Sequence, residues 1–181
     1  MEQNRYCFDY LMERAIVYSL IEAGASVNRS VNGKTPLMEA AWYGESEICE
    51  KLLVNGADIS KVDTFGRNAI MFATWMPTSR GADAMEVLMK HGGIALVNDC
   101  DLSGKTALMY AYLEMCQGSM LYYQDKIRCM EILLSHGASM TVDGKGKTVK
   151  DLTMWRGYNE YEVYSSKLVV ELMEKEEERR G

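Results

Sequence analysis

No stretch of this 181-residue chain approaches the roughly 18 uninterrupted apolar residues of a membrane-spanning helix, so a bilayer-spanning role is not expected. The opening MEQNRYCFDYLMER lacks the basic flank and apolar run of a secretory leader. A Lys/Arg cluster is missing as well, and the formal net charge is −6. A general affinity for nucleic-acid phosphates or anionic lipid is therefore not expected. The five cysteines, Cys7, Cys49, Cys100, Cys116 and Cys129, are odd in number and contain no CxxC pair. That pattern suits reduced thiols in a cytosolic, intracellular setting better than a disulfide framework. Hydrophobic residues at 48% and charged residues at 25% suit one globular domain with a core.

What is abundant is internal repetition. The segment Cys49–Gly56 (CEKLLVNG) returns as Met85–Gly92 (MEVLMKHG) and Met130–Gly137 (MEILLSHG), with a weaker copy at Val17–Gly24 (VYSLIEAG). Each places an apolar pair, Leu20/Ile21, Leu52/Leu53, Leu88/Met89 or Leu133/Leu134, shortly before a glycine. The pair suits the buried stripe of a helix, and the glycine suits a left-handed helix end. A second unit, Gly33–Ala40 (GKTPLMEA), returns as Gly66–Ala73 (GRNAIMFA) and Gly104–Ala111 (GKTALMYA), with a diverged copy from Gly146. Its third residue is Thr35, Asn68, Thr106 or Thr148, each able to cap a helix by accepting from an unpaired backbone N–H. Pro36 follows at the first helical position, where its missing N–H costs little. Small Ala40, Ala73 and Ala111 allow neighbouring helices to approach closely. From each helix-ending glycine to the next cap there are 11, 12, 14 and 11 residues, room for a hairpin-like turn only.

The run Gly33-Lys-Thr-Pro-Leu, Ala40-Ala41, Gly44, Leu52-Leu53, Gly56-Ala57-Asp58 resembles the ankyrin repeat, and the cap-to-cap spacing of 33 from Thr35 to Asn68 matches that family's period. The resemblance extends over nearly the whole chain and is sharpest over residues 30–60. It departs from the family pattern where Met38, Met71 and Met109 stand in place of the usual histidine. The later spacings of 38 and 42 place additional residues mainly between the two helices of a repeat, around Pro77–Asp83 and Gln117–Lys126. The implied fold is all-α, a single ankyrin-repeat solenoid of stacked helix-turn-helix units. Residues 1–29 read as a degenerate N-terminal unit, 30–60, 61–97 and 98–140 as repeats, and 141–181 as a C-terminal cap. Lys150, Asp151 and the glutamates from Glu171 onward give that cap the polar outer face a terminal repeat requires.

Signals for chemistry are weak. Gly-Lys-Thr at 146–148 lacks the glycine five residues earlier that a phosphate loop requires, since position 141 is Thr, and the tripeptide also occurs at 33–35 and 104–106. His91 and His136 each precede a helix-ending glycine, where an imidazole faces the carbonyl end of its helix. A shared metal at that edge would lack Cys or Asp ligands in suitable spacing. Cys49 and Cys129 read as small core residues, while Cys100 and Cys116 are expected to be more exposed without features of an activated thiol. No spacing supports a Cys-His pair. Methionine, with 14 copies, reads as core filling. The pairs Glu45/Glu47 and Asp99/Asp101 read as turn and solubility chemistry ahead of acid–base work. No enzymatic activity, cofactor or metal is expected.

Resemblance to the family implies a concave face built from turn tips and first helices. Its partner-facing positions match Val31, Asn32, Lys34, Trp42 and Tyr43, then Thr64, Phe65, Arg67, Trp75 and Met76, then Leu102, Ser103, Lys105, Leu113 and Glu114. This composition is enriched at binding hot spots. Trp42 and Trp75, 33 residues apart, should sit side by side. Packing of one or both between first helices is the structural alternative. The insertion at 117–126, with Met120, Leu121, Tyr122 and Tyr123, either lengthens both helices or projects a second platform, and its composition favours the helices. The expected function is protein–protein recognition as an adaptor or scaffold, by a chain monomeric on its own. The alternative is an inhibitor or immunity-type protein that masks a partner enzyme's site.

Overall fold

The computed structural model describes residues 14–75, 79–117 and 122–139, together with Glu171, Glu174, Lys175, Glu178 and Arg179. After a helix occupying residues 14–22 (α1), three helical hairpins follow. These are α2 (Pro36–Trp42) with α3 (Ser46–Val54), α4 (Ala69–Trp75) with α5 (Gly81–Lys90), and α6 (Ala107–Gln117) with α7 (Tyr123–Ser135). A short 3-10 turn spans Gly93–Leu96. Among the described residues the only extended pairing is two isolated bridges, Val31 with Lys34 and Cys100 with Thr106.

Each first helix starts where the sequence places its cap. The Thr35 hydroxyl accepts from Met38 N–H at 3.3 Å, the Asn68 carboxamide oxygen from Met71 N–H at 3.1 Å, and the Thr106 hydroxyl from Met109 N–H at 3.4 Å. Where the family pattern has histidine, the Met38 thioether takes up the Thr35 N–H at 3.4 Å. Capping is reciprocal there, with sulfur in the role usually held by a Glu or Gln oxygen. Thr148 lies outside the described residues.

First helices pack in one row, α2 on α4 on α6, and second helices in another, α3 on α5 on α7. Ala40, Ala73 and Ala111 are all buried and keep the first row close. Gly81 does the same between rows: a Cβ there would stand 2.3 Å from the Ala73 carbonyl oxygen. Leu52, Leu88 and Leu133 belong to one continuous apolar cluster with Leu37, Ile70, Phe72 and Leu108. Each such fully buried side chain contributes about 2 kcal/mol. The apolar pairs differ in use. Ile21 is buried whereas its neighbour Leu20 is 54% exposed, because a single helical stripe accepts only one of two adjacent residues when one flank is unpacked.

The long turns are joined across repeats. Asn28 donates to Gly56 O at 2.7 Å and accepts from Asp58 N–H at 2.7 Å, and Asn98 repeats the clamp on Gly137 O at 3.0 Å and Ser139 N–H at 2.6 Å. Ser60 holds the equivalent place in the intervening turn and bonds back to Asp58 instead. Ion pairs continue the tie along the second helices: Glu22 to Lys51, Glu50 to Lys90, and Asp83 and Glu86 to Arg128.

Several sequence expectations receive a specific outcome. Additional residues lengthen helices in the third hairpin, where α6 has 11 residues and α7 has 13, against 7 and 9 in the first. Residues 118–121, with Met120 and Leu121, lie outside the description, whereas Tyr122 and Tyr123 are half-buried. His136 caps its own helix, Nδ1 lying 2.8 Å from Ile132 O. His91 does not. Its Nε2 reaches 2.9 Å across to Glu50 of α3, because a carboxylate on the neighbouring helix is a stronger acceptor than a carbonyl. Cys49 and Cys129 are buried and Cys100 exposed, while the Cys116 side chain and Cys7 are outside the described set. Glu45 and Asp101 are not solvated turn residues. Glu45 is 11% exposed between Arg14 and Arg80, and Asp101 is buried in a turn tip. Of the C-terminal unit placed at 141–181, the described positions Glu171, Glu174, Lys175, Glu178 and Arg179 are helical and exposed.

Candidate recognition face

The tips of the second and third turns are organised by aspartates. The Asp63 Oδ1 accepts from Phe65 N–H and Arg67 N–H, both at 2.9 Å, and Asp63 N–H donates to Arg67 O at 3.0 Å. Asp101 does the same with Ser103 N–H at 2.8 Å, Lys105 N–H at 2.9 Å and Lys105 O at 2.9 Å. An Asx-type turn of this kind fixes the tip without a flanking sheet. Gly66 closes it with φ of +78°, and a Cβ there would lie 3.0 Å from Leu102 N. The tips also join each other, Leu102 N–H donating to Phe65 O at 2.9 Å. Side chains at the tips are thereby presented outward: Val31, Phe65 and Leu102 are 68%, 61% and 81% exposed, with Asn32, Thr64 and Ser103 exposed beside them.

Behind the tips, the first helices carry a strip of rings. Trp42 and Trp75 meet edge to face with centroids 4.6 Å apart, and Trp75 lies 5.7 Å from Tyr110. Phe72 forms the floor, 5.5 Å from Trp42 and 6.1 Å from Trp75. Both tryptophans are half-buried, so each packs between first helices and also shows an edge to solvent. Edge-to-face pairs are worth about 0.5–1.5 kcal/mol beyond burial.

A cation from each tip leans over this strip. Lys34 Nζ lies 4.8 Å from the Trp42 ring centre and 5.4 Å from Phe72, and Lys105 Nζ lies 5.8 Å from Tyr110. The Arg67 guanidinium sits 4.4 Å from Trp75, 4.6 Å from Phe65 and 5.0 Å from Phe72. Arg67 is held further by Asp63 Oδ2, which accepts from Nε at 2.8 Å and Nη2 at 2.5 Å. Burial by itself would raise the Asp63 carboxyl. The hydrogen bonds from Arg67 and Phe65 together with the guanidinium charge outweigh it and leave it below the ordinary aspartate range. Tyr110 moves the other way. Burial, then its hydrogen bond and proximity to Asp101, at 2.6 Å, push the phenol well above its usual value.

The remaining expected contact positions are dispersed. Tyr43, 55% exposed, lines a separate cleft of about 700 Å³ with Val17, Pro36, Ala40 and Ile48. Leu113 and Glu114 are half-buried, and burial raises the Glu114 carboxyl against the pull of buried Lys126. Met76 is outside the described residues. Sequence reasoning missed Phe72, Tyr110, Asp63 and Asp101. The signal for the aspartates was present, each standing four residues before the basic tip residue and three before the tip glycine.

Among the described residues no group of three or more His, Cys, Asp or Glu side chains is placed to hold a metal, and no described helix is long and apolar enough to cross a membrane. A family model described as ankyrin repeats, in three copies, matches residues 6–63 and 43–143.

Proposed function

Since the chain belongs to the ankyrin-repeat family, whose members are generally non-catalytic protein–protein interaction modules, we propose that it is an adaptor or scaffold that binds a partner protein through the tips and the ring strip. The repeats at 30–60, 61–97 and 98–140 supply one tip each, with residues 1–29 and 141–181 as terminal units. The observation that carries this reading is the continuity of Trp42, Trp75 and Tyr110 beneath three outward tips bearing Val31, Phe65 and Leu102. Rings and aliphatic side chains held on a rigid support bind at small entropic cost, which is why such positions dominate interface energetics. Arg67 acts within the face as a brace for Phe65 and Trp75, and Lys34 and Lys105 are its polar selectors.

Affinity capture from the native lysate tests this, with the wild type set against Phe65→Ala/Leu102→Ala. Those side chains are mostly exposed, so the variant keeps its fold. It should lose at least ten-fold in recovery of whichever protein the wild type captures. A parallel Trp42→Ala/Trp75→Ala variant should lose the same protein, its helicity being checked because the two rings also pack on Phe72. Equal recovery of the same protein by the wild type and both variants would remove the concave face from the function. Stoichiometric loss of a captured enzyme's activity would replace the scaffold role by the inhibitor role that small size and acidic charge also suit.

A further inference from the structure

Although the chain is acidic overall, the recognition face is not. Its two tip aspartates are fully engaged. Asp63 accepts two backbone N–H groups on one oxygen and the Arg67 side chain on the other, and Asp101 accepts two backbone N–H groups and the Tyr110 hydroxyl. The charge of Asp63 is offset by Arg67, whereas Asp101 accepts from neutral donors and keeps its charge, buried within the tip. The cations are used unequally. Arg67 is neutralised by Asp63 and flanked by rings. Among the described residues Lys34 holds one ion pair, 3.2 Å to the half-exposed Glu39. Lys105 has no ion pair among the described residues.

The two lysines stand at either end of the described ring strip, Lys34 shared with Glu39 and Lys105 without an ion pair among the described residues. From Lys34 the path runs 4.8 Å to Trp42, 4.6 Å to Trp75, 5.7 Å to Tyr110 and 5.8 Å to Lys105. It crosses two helix-to-helix steps, each about 8–10 Å, so the ammonium groups are separated by up to about 20 Å. An extended chain rises about 3.3 Å per residue and turns alternate side chains to the same face, so two side chains on that face reach such a span when they are about six residues apart.

We infer that the preferred occupant of this face is an extended peptide segment carrying two acidic side chains about six residues apart, with apolar side chains between them laid on Trp42 and Trp75. This rests on the functional reading above and adds to it the chemistry of the partner. The carboxylates pair with Lys34 and Lys105, displacing Glu39 from the first. The apolar middle covers the tryptophan edges, and Arg67 keeps Trp75 upright without contacting the segment. A single-stranded nucleic acid would also combine negative charge with stacking, but the two described tip lysines, in a chain of net charge −6, supply little of the counterion release that drives such binding.

The experiment pans a library of random 16-residue peptides displayed on phage against the full-length chain. Enriched sequences are then synthesised and titrated by fluorescence polarisation at low and high salt. The expected result is enrichment of Asp or Glu at a six-residue separation around apolar residues. Lys34→Gln and Lys105→Gln should each weaken binding about five-fold or more, and Trp42→Ala should weaken it for every selected peptide. Peptides that depend on Trp42 yet show no acidic preference, or bind the lysine variants unchanged, overturn the inference and leave the face itself standing. Acidic residues enriched at three- or four-residue helical spacing overturn the extended geometry. Tighter binding of an oligouridylate 12-mer than of any peptide overturns the partner class. Failure to enrich any peptide that depends on Trp42 or Phe65 overturns both the inference and the face.

Discussion

Replacing Arg67 by alanine separates a brace from a contact residue. Arg67 and Asp63 have side-chain exposures of 11% and 2%, so removing the guanidinium leaves a buried carboxylate without its counter-charge. Breaking one side of a buried ion pair costs about 3–5 kcal/mol. Here the loss is smaller, because Asp63 keeps the N–H groups of Phe65 and residue 67 and the guanidinium has a solvated rim. Loss of stacking on Trp75, Phe65 and Phe72 works in the opposite direction, at roughly 0.5–1 kcal/mol for a cation on a ring near the surface. The net expectation is about 2–3 kcal/mol, a fall in Tm of roughly 5–10 °C for a chain of this size. Urea unfolding followed by tryptophan emission reads it, since Trp75 is 4.4 Å from the guanidinium. The pH dependence provides an internal check. A carboxyl whose folded pKa is held below its unfolded value contributes stability that is complete above the unfolded value, about 3.9. It is lost as the pH falls through the folded one. The gap between wild type and Arg67→Ala should therefore be full at neutral pH and narrow below about pH 4. A variant within about 0.5 kcal/mol of wild type at pH 7, or a gap that widens in acid, would refute the assignment of Arg67 as a brace.

Two further outcomes follow from buried groups elsewhere. Asn68→Thr should raise stability by up to about 1 kcal/mol in the same urea titration. The buried Asn68 Nδ2 makes no hydrogen bond among the described residues, while Thr35 and Thr106 cap equivalent helices without a surplus donor; destabilisation would show that the amide has a partner. The thiols of Cys49 and Cys129 are pushed up to about 12, by burial first and then by Glu45 and Asp125 respectively. Both thus remain protonated at pH 8, and maleimide labelling mapped by mass spectrometry should modify exposed Cys100 within minutes and those two only after unfolding. Rapid labelling of either in the folded protein would contradict the packing.

The repeat was legible because its markers are local. A cap, a proline at the first helical position and a glycine with positive φ each act within one or two turns of backbone, so Thr35, Asn68 and Thr106 announce their helices wherever the rest of the chain lies. The lengthened third hairpin was legible for the same reason, its residues having helical propensity. The state of a side chain on the face was not. Arg67, Lys34 and Lys105 occupy the same repeat position, yet one is buried on an aspartate and two are not. The difference arises from Asp63, Phe65 and Trp75 closing on a planar guanidinium that an ammonium could not replace. Likewise His91 and His136 share a sequence context and diverge because His91 meets Glu50, whereas Glu86, at the equivalent position one repeat on, is engaged by Arg128.

The sequence alone thus determined the all-α repeat, its period and the positions of its caps and turns, since those depend on hydrogen bonds and dihedral preferences between near neighbours in the chain. Which rings join into one strip was decided only by the stacking of one repeat on the next, whereas the tip carboxylates are engaged within their own repeats, Asp63 by Arg67 and Asp101 by Tyr110. The ring contacts link residues more than thirty positions apart, Trp42 with Trp75 and Trp75 with Tyr110, and their energies depend on burial that no single repeat possesses by itself.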